Sequence, residues 1–152
     1  MTPLENVSQQ EFDLDKYNLE LLVVDTQAPH QLNDGQYAQR RATCEEAAKI
    51  LGVANLRVTA DGISKADDQF QALKETLDAL PDETMKKRVR HVVTEIERVR
   101  SFVRAFAQGD IKAAGRLFNA SHDSLAADYE SPSPSWTSPW TWPARTAPTV
   151  RV

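Results

Sequence analysis

Cysteine is almost absent from this sequence: Cys44 is the only one, so an intrachain disulfide is impossible and a cysteine-based zinc site is not expected. Glycine is sparse and scattered, at positions 35, 52, 62, 109 and 115. Neither a P-loop nor a GxGxxG turn occurs, which removes the usual self-contained phosphate cradles. Long apolar runs are missing too. The longest aliphatic run, Leu21–Val24, is far too short to cross a bilayer. The opening MTPLENVSQQEF has no positive n-region and no apolar h-region, so it does not read as a signal peptide. Basic charge is in deficit: 18 Lys and Arg stand against 22 Asp and Glu, a net charge of −4. With Arg145 and Arg151 set aside, residues 1–130 hold 16 basic and 22 acidic side chains, a net −6. An acidic body without a basic stripe argues against nucleic acid or an anionic membrane as partner. These absences together point to a soluble, cytoplasmic protein.

What is present is an ordinary globular composition, 41% hydrophobic and 26% charged, over 152 residues, a length that suits one domain. LELLVV at 19–24 reads as a buried strand, Val7 to Leu14 as a weaker partner strand, and DLDKYN as the turn between them. Asn33 and Asp34 can cap a helix running to about Leu51 and stopping at Gly52, with Tyr37, Cys44, Ala47, Ala48 and Leu51 on its apolar face. LRVT at 56–59 reads as a further short strand. SKAD at 64–67 is a capping signature, followed by Phe70, Leu73, Leu77 and Leu80 at helical spacing. The strongest element runs from Asp82 to Gln108. Its stripe is Val89, Val92, Val93, Ile96, Val99, Phe102, Val103 and Phe106, opposed by Arg and Glu. Asp110 then caps a last helix carrying Ile111, Ala114, Leu117, Phe118 and Leu125. Helix dominates.

Few residues suggest chemistry. His30, His91 and His122 lie far apart. His91 and Glu95 share a helix face at i,i+4, the spacing of two metal ligands, but no third ligand is evident, so a surface or capping pair is the simpler reading. Ser121–His122–Asp123 spells out a catalytic triad, yet adjacent helical residues point about 100° apart and cannot form the relay. Cys44 reads as a small core residue. Tyr37 reads as packing unless its hydroxyl reaches a ligand. No self-contained active site emerges.

Four stretches add more: VVDTQAPHQLNDGQYAQRRATCEEAAKILG at 23–52, LR at 56–57, RVRHVVTEIERV at 88–99 and GDIKAAGRLFNASHDSLAADYE at 109–130. In this order they resemble the carboxyl-terminal half of galactokinases, members of the galactose, homoserine, mevalonate and phosphomevalonate kinase superfamily. YxxRRxxCExAA and GxLFxxSHxSLxxDYE are the most specific of these motifs. The resemblance covers nearly all of residues 4–130. It implies a helix-rich piece of an α+β carboxyl-terminal lobe, with one or two N-terminal strands. The implied activity is transfer of the γ-phosphoryl group of ATP to the anomeric hydroxyl of galactose, with magnesium. In the family the phosphate loop, the sugar-recognition motif and the catalytic aspartate precede the region matched here, so this sequence is expected to be a fragment, inactive alone. Of the ligand contacts only the motif tyrosine carries over, as Tyr37, a sugar-binding hydroxyl. Pro29 stands where many members carry an arginine. His91, Glu95, Ser121 and His122 match family motifs as structural residues. A piece lacking its neighbours should expose apolar faces and invite self-association.

The last 22 residues, SPSPSWTSPWTWPARTAPTVRV, hold all three tryptophans, five of the eight prolines and no Asp, Glu or Lys. Their prolines forbid helix and strand alike, so residues 131–152 read as a disordered tail. Galactokinases continue after DYE with a PELD-containing stretch, a helix and GxRMTGGG. Loss of one base after codon 130 would account for the difference. Pro134, Ser135, Trp136 and Thr137 supply xCC, xAG, xTG and xAC, which permit P-E-L-D; Val150 to Val152 and a TGA stop permit G-A-R-M. A full consistent reading is VTVPELDVAVDVARAHGAYGARM. Two rival readings remain: a non-enzymatic helical interaction module with a Pro/Trp-rich binding tail, and a piece complemented by a separate amino-terminal half. The prolines form no PxxP motif for the former.

Overall fold

The computed structural model describes residues 13–20, 23 and 35–129. A single 3₁₀ turn at Asp15–Tyr17 ends on Asn18 in the left-handed conformation, φ 51°. Five helices follow: α1 (Gln36–Ile50), α2 (Leu56–Ser64), α3 (Gln69–Asp78), α4 (Glu83–Ala107) and α5 (Ile111–Ala127).

The helix boundaries follow from local chemistry. Four helices open on a side chain that accepts from orphan backbone N–H groups: Asn55 from Arg57 N, Asp68 from Gln71 N, Asp82 from Met85 N and Asp110 from Ala113 N. α1 opens on Gly35 at φ 70°. Two glycines close helices by the same device. Gly52 (φ 68°) donates to Lys49 O while Val53 donates to Ala48 O, and Gly109 (φ 73°) donates to Phe106 O while Asp110 donates to Ala105 O. Both are paired 5→2 and 6→1 closures that only a residue at ease with positive φ allows cheaply. At Gly109 the chain turns back, so that α5 returns along α4.

α4 organises the rest. Its 25 residues span about 37 Å at 1.5 Å per residue, and it packs against each of the other four helices. The core is one cluster: Ala47 and Ala48 of α1, Leu56 and Ala60 of α2, Leu80, and Met85, Val89 and Val93 of α4. Val89 and Ala47 have no exposed surface. Alanines on α1 and α2 let those helices approach the α4 valines closely, as interior packing density requires. The 3₁₀ turn docks at the far end of α4, where the Tyr17 ring meets Phe106 edge-on at 5.1 Å.

Several expectations change. LRVT at 56–59 is not a strand but the first turn of α2. The Asn55 carboxamide caps it, and Leu56 and Ala60, four apart, share its buried face. Ser64 ends α2 rather than starting α3, whose cap is Asp68. Half of the strand expected at 19–24 falls outside the described residues, and the described half, Leu19, Glu20 and Val23, carries no strand conformation. The strand at 7–14, the caps Asn33 and Asp34 and the tail lie outside them almost entirely. Among the described residues the fold is all helix. Exposed apolar surface is present: Phe70 is 78% exposed, Phe118 63% and Val99 56%.

Val89→Ala, which empties a sealed site, is expected to cost roughly 2–3 kcal/mol in urea unfolding, and Asp82→Ala, which removes the α4 cap, about 1 kcal/mol.

Candidate functional site

The polar residues of α4 and α5 face each other across their packing seam. From α4, Arg90 donates to both carboxylate oxygens of Asp128, 3.0 Å for Nε to Oδ2. His91 Nδ1 lies 2.8 Å from Ser124 Oγ. The Ser121 hydroxyl donates to Glu95 Oε1 at 2.7 Å, and Arg98 pairs with the other oxygen of Glu95. Positions 90, 91 and 95 on one helix therefore meet 128, 124 and 121 on the other, in antiparallel order. The α5 set recurs at three-and-four spacing along one helix face, and on α4 His91 and Glu95 lie four apart with Arg90 beside His91.

The amino-terminal end of this seam meets α1. The Tyr129 ring lies against His91, with centroids 4.6 Å apart, and the Arg40 guanidinium sits 5.4 Å from the centre of that ring. Arg88 Nη1 donates to Thr43 Oγ1 at 2.5 Å, and the Thr43 hydroxyl donates in turn to Gln39 O. Cys44 lies beside them, partly buried. Burial pushes the Cys44 thiol up, against the pull of Arg88, and pushes the Tyr129 phenol up in the same way. It pushes His91 below the ordinary histidine value, with Glu95 opposing. The Arg90 hydrogen bond holds Asp128 below the ordinary carboxylate value.

The candidate residues separate clearly on this frame. His91 and Glu95 do not act as a chelating pair, because each bonds across the seam to a serine of α5. Ser121 gives its hydroxyl to Glu95, while His122 and Asp123 are exposed, so the three neighbours form no relay. Among the described residues no three His, Cys, Asp or Glu side chains gather as a metal site. Tyr37, in the first turn of α1, is 75% exposed. The packing role expected for it from its helical phase is not realised, because α1 extends past the core at this end and its buried face begins near Cys44. The pairing of Arg90 with Asp128 and the burial of Arg88 were missed from sequence. Matching polar stripes on two otherwise apolar helices are the signal that could have revealed the first.

The stretches that build this junction also have relatives. The chain is 41% identical over 119 residues to a galactokinase of Mycobacterium tuberculosis, covering 78% of this chain and 30% of that protein. It is 42% identical over 110 residues to a galactokinase of Haemophilus influenzae, 72% of this chain and 27% of that one. With a galactokinase of Mannheimia succiniciproducens it shares 41% over 118 residues, 78% and 29%. Over these residues the chain is a galactokinase homologue. It spans about 30% of the length of the galactokinases it matches. No protein-family model matches the chain. No helix among the described residues is long and apolar enough to cross a membrane, a limit that for α4 follows from its many charged residues. Within the galactokinase homology the polar seam reads as architecture: a motif on α1, one on α4 and one on α5 hold each other in register.

The seam makes stability pH-dependent. His91 has a folded pKa below its unfolded value of about 6.5, so its contribution is fully present above that pH and is lost as pH falls through the folded value. Stability is expected to drop between roughly pH 7 and 5 in denaturant titrations, and His91→Gln is expected to flatten that drop.

Proposed function

We propose that this chain is a segment of the carboxyl-terminal lobe of a galactokinase, and that it performs no phosphoryl transfer by itself. The observation that carries this reading is the convergence of three galactokinase-like motifs at one junction. Arg40 of the YxxRR stretch, His91 of the RVRHVV stretch and Tyr129 of the DYE stretch stack in sequence there. Residues far apart in the chain thus explain one another, and the 41% identity extends over 119 residues.

The whole enzyme would transfer the γ-phosphoryl of ATP to the anomeric hydroxyl of galactose. When bound, magnesium would neutralise charge on the transferring phosphoryl group. From the galactokinase resemblance, its ligands and the phosphate cradle are expected in the remaining length of the galactokinase chain. What this segment offers the sugar is Tyr37. Its exposed phenol, at the start of α1, is available to hydrogen-bond a sugar hydroxyl once the rest of the lobe is present. Residues 131–152 are read as the PELD stretch and its helix out of frame, carrying no function.

Four measurements test this. A coupled ADP-release assay with this chain, galactose and Mg-ATP is expected to show no galactose-dependent turnover; turnover that requires both substrates would overturn the reading. Exchange of residues 35–129 for the matching segment of the Mycobacterium tuberculosis galactokinase is expected to preserve galactose phosphorylation. In that chimera Tyr37→Phe should raise KM for galactose on the order of tenfold and leave KM for ATP unchanged. In the encoding DNA, one base added after codon 130 is expected to open a frame running through PELD into TGGGFGG.

A further inference from the structure

The Tyr37 phenol is exposed, and no described residue hydrogen-bonds it. Where its hydroxyl stands is therefore decided by the first turns of α1, and these overhang the core. Across residues 37–42 only Arg40 is even half-buried, and the first fully buried residue described on α1 is Ala47. The helix also opens on Gly35 with no side-chain cap for its first N–H groups. A helix start with neither cap nor apolar cover opens locally at little cost. Something else must hold this one in place if Tyr37 is to meet a ligand in a fixed geometry.

Arg40 ties the overhang to the bundle. It lies three residues after Tyr37, on the same face of α1, and its guanidinium sits 5.4 Å from the centre of the Tyr129 ring. Tyr37 itself is near enough to Tyr129 to oppose ionisation of that phenol. The Tyr129 ring is a firm platform. It lies 4.6 Å from the His91 ring, centroid to centroid, and His91 is buried and bonded to Ser124 of α5. Its backbone is fixed as well. Tyr129 N donates to Ser124 O, and the preceding residue, Asp128, receives both hydrogen bonds from Arg90 of α4. Arg40 and Tyr129 are each half-buried, a setting in which a cation over an aromatic face is worth more than at an open surface.

We propose that Tyr129 is a positioning residue for sugar binding: its ring anchors Arg40, and through Arg40 it holds the first turns of α1 so that the Tyr37 hydroxyl is preorganised for a sugar hydroxyl. This deepens the galactokinase reading above and rests on it for the identity of the ligand. Tyr129 touches no substrate. The ring does the anchoring, and its own hydroxyl is not required. Order supplied in advance in this way is order that the ligand need not impose on binding.

The anchoring is tested in this chain by amide hydrogen exchange. Tyr129→Leu is expected to cut the protection of amides 40–43 on the order of tenfold and to leave amides 89–93 of α4 unchanged, while Tyr129→Phe keeps both. Arg40→Met, which spares the contact between His91 and Tyr129, should give the same local loss. Unaltered protection at 40–43 in either variant, or a loss spread evenly over α1, α4 and α5, would overturn the proposal. The consequence for the sugar is read in the chimera with the Mycobacterium tuberculosis galactokinase. There Tyr129→Leu should raise KM for galactose on the order of tenfold and leave KM for ATP unchanged, and Tyr129→Phe should restore the parent value. In a Tyr37→Phe background Tyr129→Leu should add nothing, because the hydroxyl it places is gone. Additive effects of the two changes, or a Tyr129→Phe as damaging as Tyr129→Leu, would reject the positioning role. If Tyr37→Phe raises KM for galactose and Tyr129→Leu does not, that role falls and the sugar reading stands. If Tyr37→Phe leaves KM for galactose unchanged, the sugar reading falls and the positioning role with it.

Discussion

Everything in this bundle hangs on burying one side of α4. A 25-residue helix with valines at 89, 92 and 93 on one face cannot leave that face in water, and four other helices are recruited to cover it. The covering is uneven. Around Val89 small residues on α1 and α2 close the space completely, whereas toward the carboxyl-terminal end the cover thins and Val99 stands exposed. The short helices α2 and α3 gain most of their stability from this contact, since helices of nine or ten residues are marginal alone.

The second constraint is polar. α5 buries little apolar surface, only Ala114 fully, yet it lies along α4 in a defined register. That register comes from three cross-helix contacts, Arg90 to Asp128, His91 to Ser124 and Ser121 to Glu95, each of which fails if one helix slides by a turn. Directional bonds supply here the specificity that a thin apolar interface cannot. Residues that resemble catalytic or chelating groups in the linear sequence are used instead as fasteners, and this is why motif residues abound where no reaction centre is assembled.

The same logic separates the well-made part of the molecule from its margins. The junction of α1, α4 and α5 is well stacked, but the Arg88 Nε–H within it is buried without an acceptor among the described residues. Phe118 and Phe70 stand in water where a larger lobe would have surface to set against them. A chain spanning about 30% of its galactokinase relatives is expected to show such edges.

Most helices could be read from the residues alone. Capping aspartates at 82 and 110, glycines at 52 and 109 and the α4 stripe are local signals whose physics lies within a few residues, and they placed α4 and α5 almost to the residue. LRVT misled because β-branched residues in a short window suit a strand or a helix equally. Only the Asn55 cap and the waiting surface of α4 chose between them. Tyr37 misled in the other direction, since helical phase says which residues share a face but not how far a helix extends past its core. That His91, Glu95 and Ser121 are architectural is what the resemblance implies; their spacing alone suggests a surface or capping pair for His91 and Glu95, and the burial of His91 overturns the surface part of that reading. That they engage each other's helices, and that Arg88 is buried with no carboxylate partner among the described residues, only the packing of α1 and α5 onto α4 decided, because burial and partnership are properties of neighbours distant in sequence.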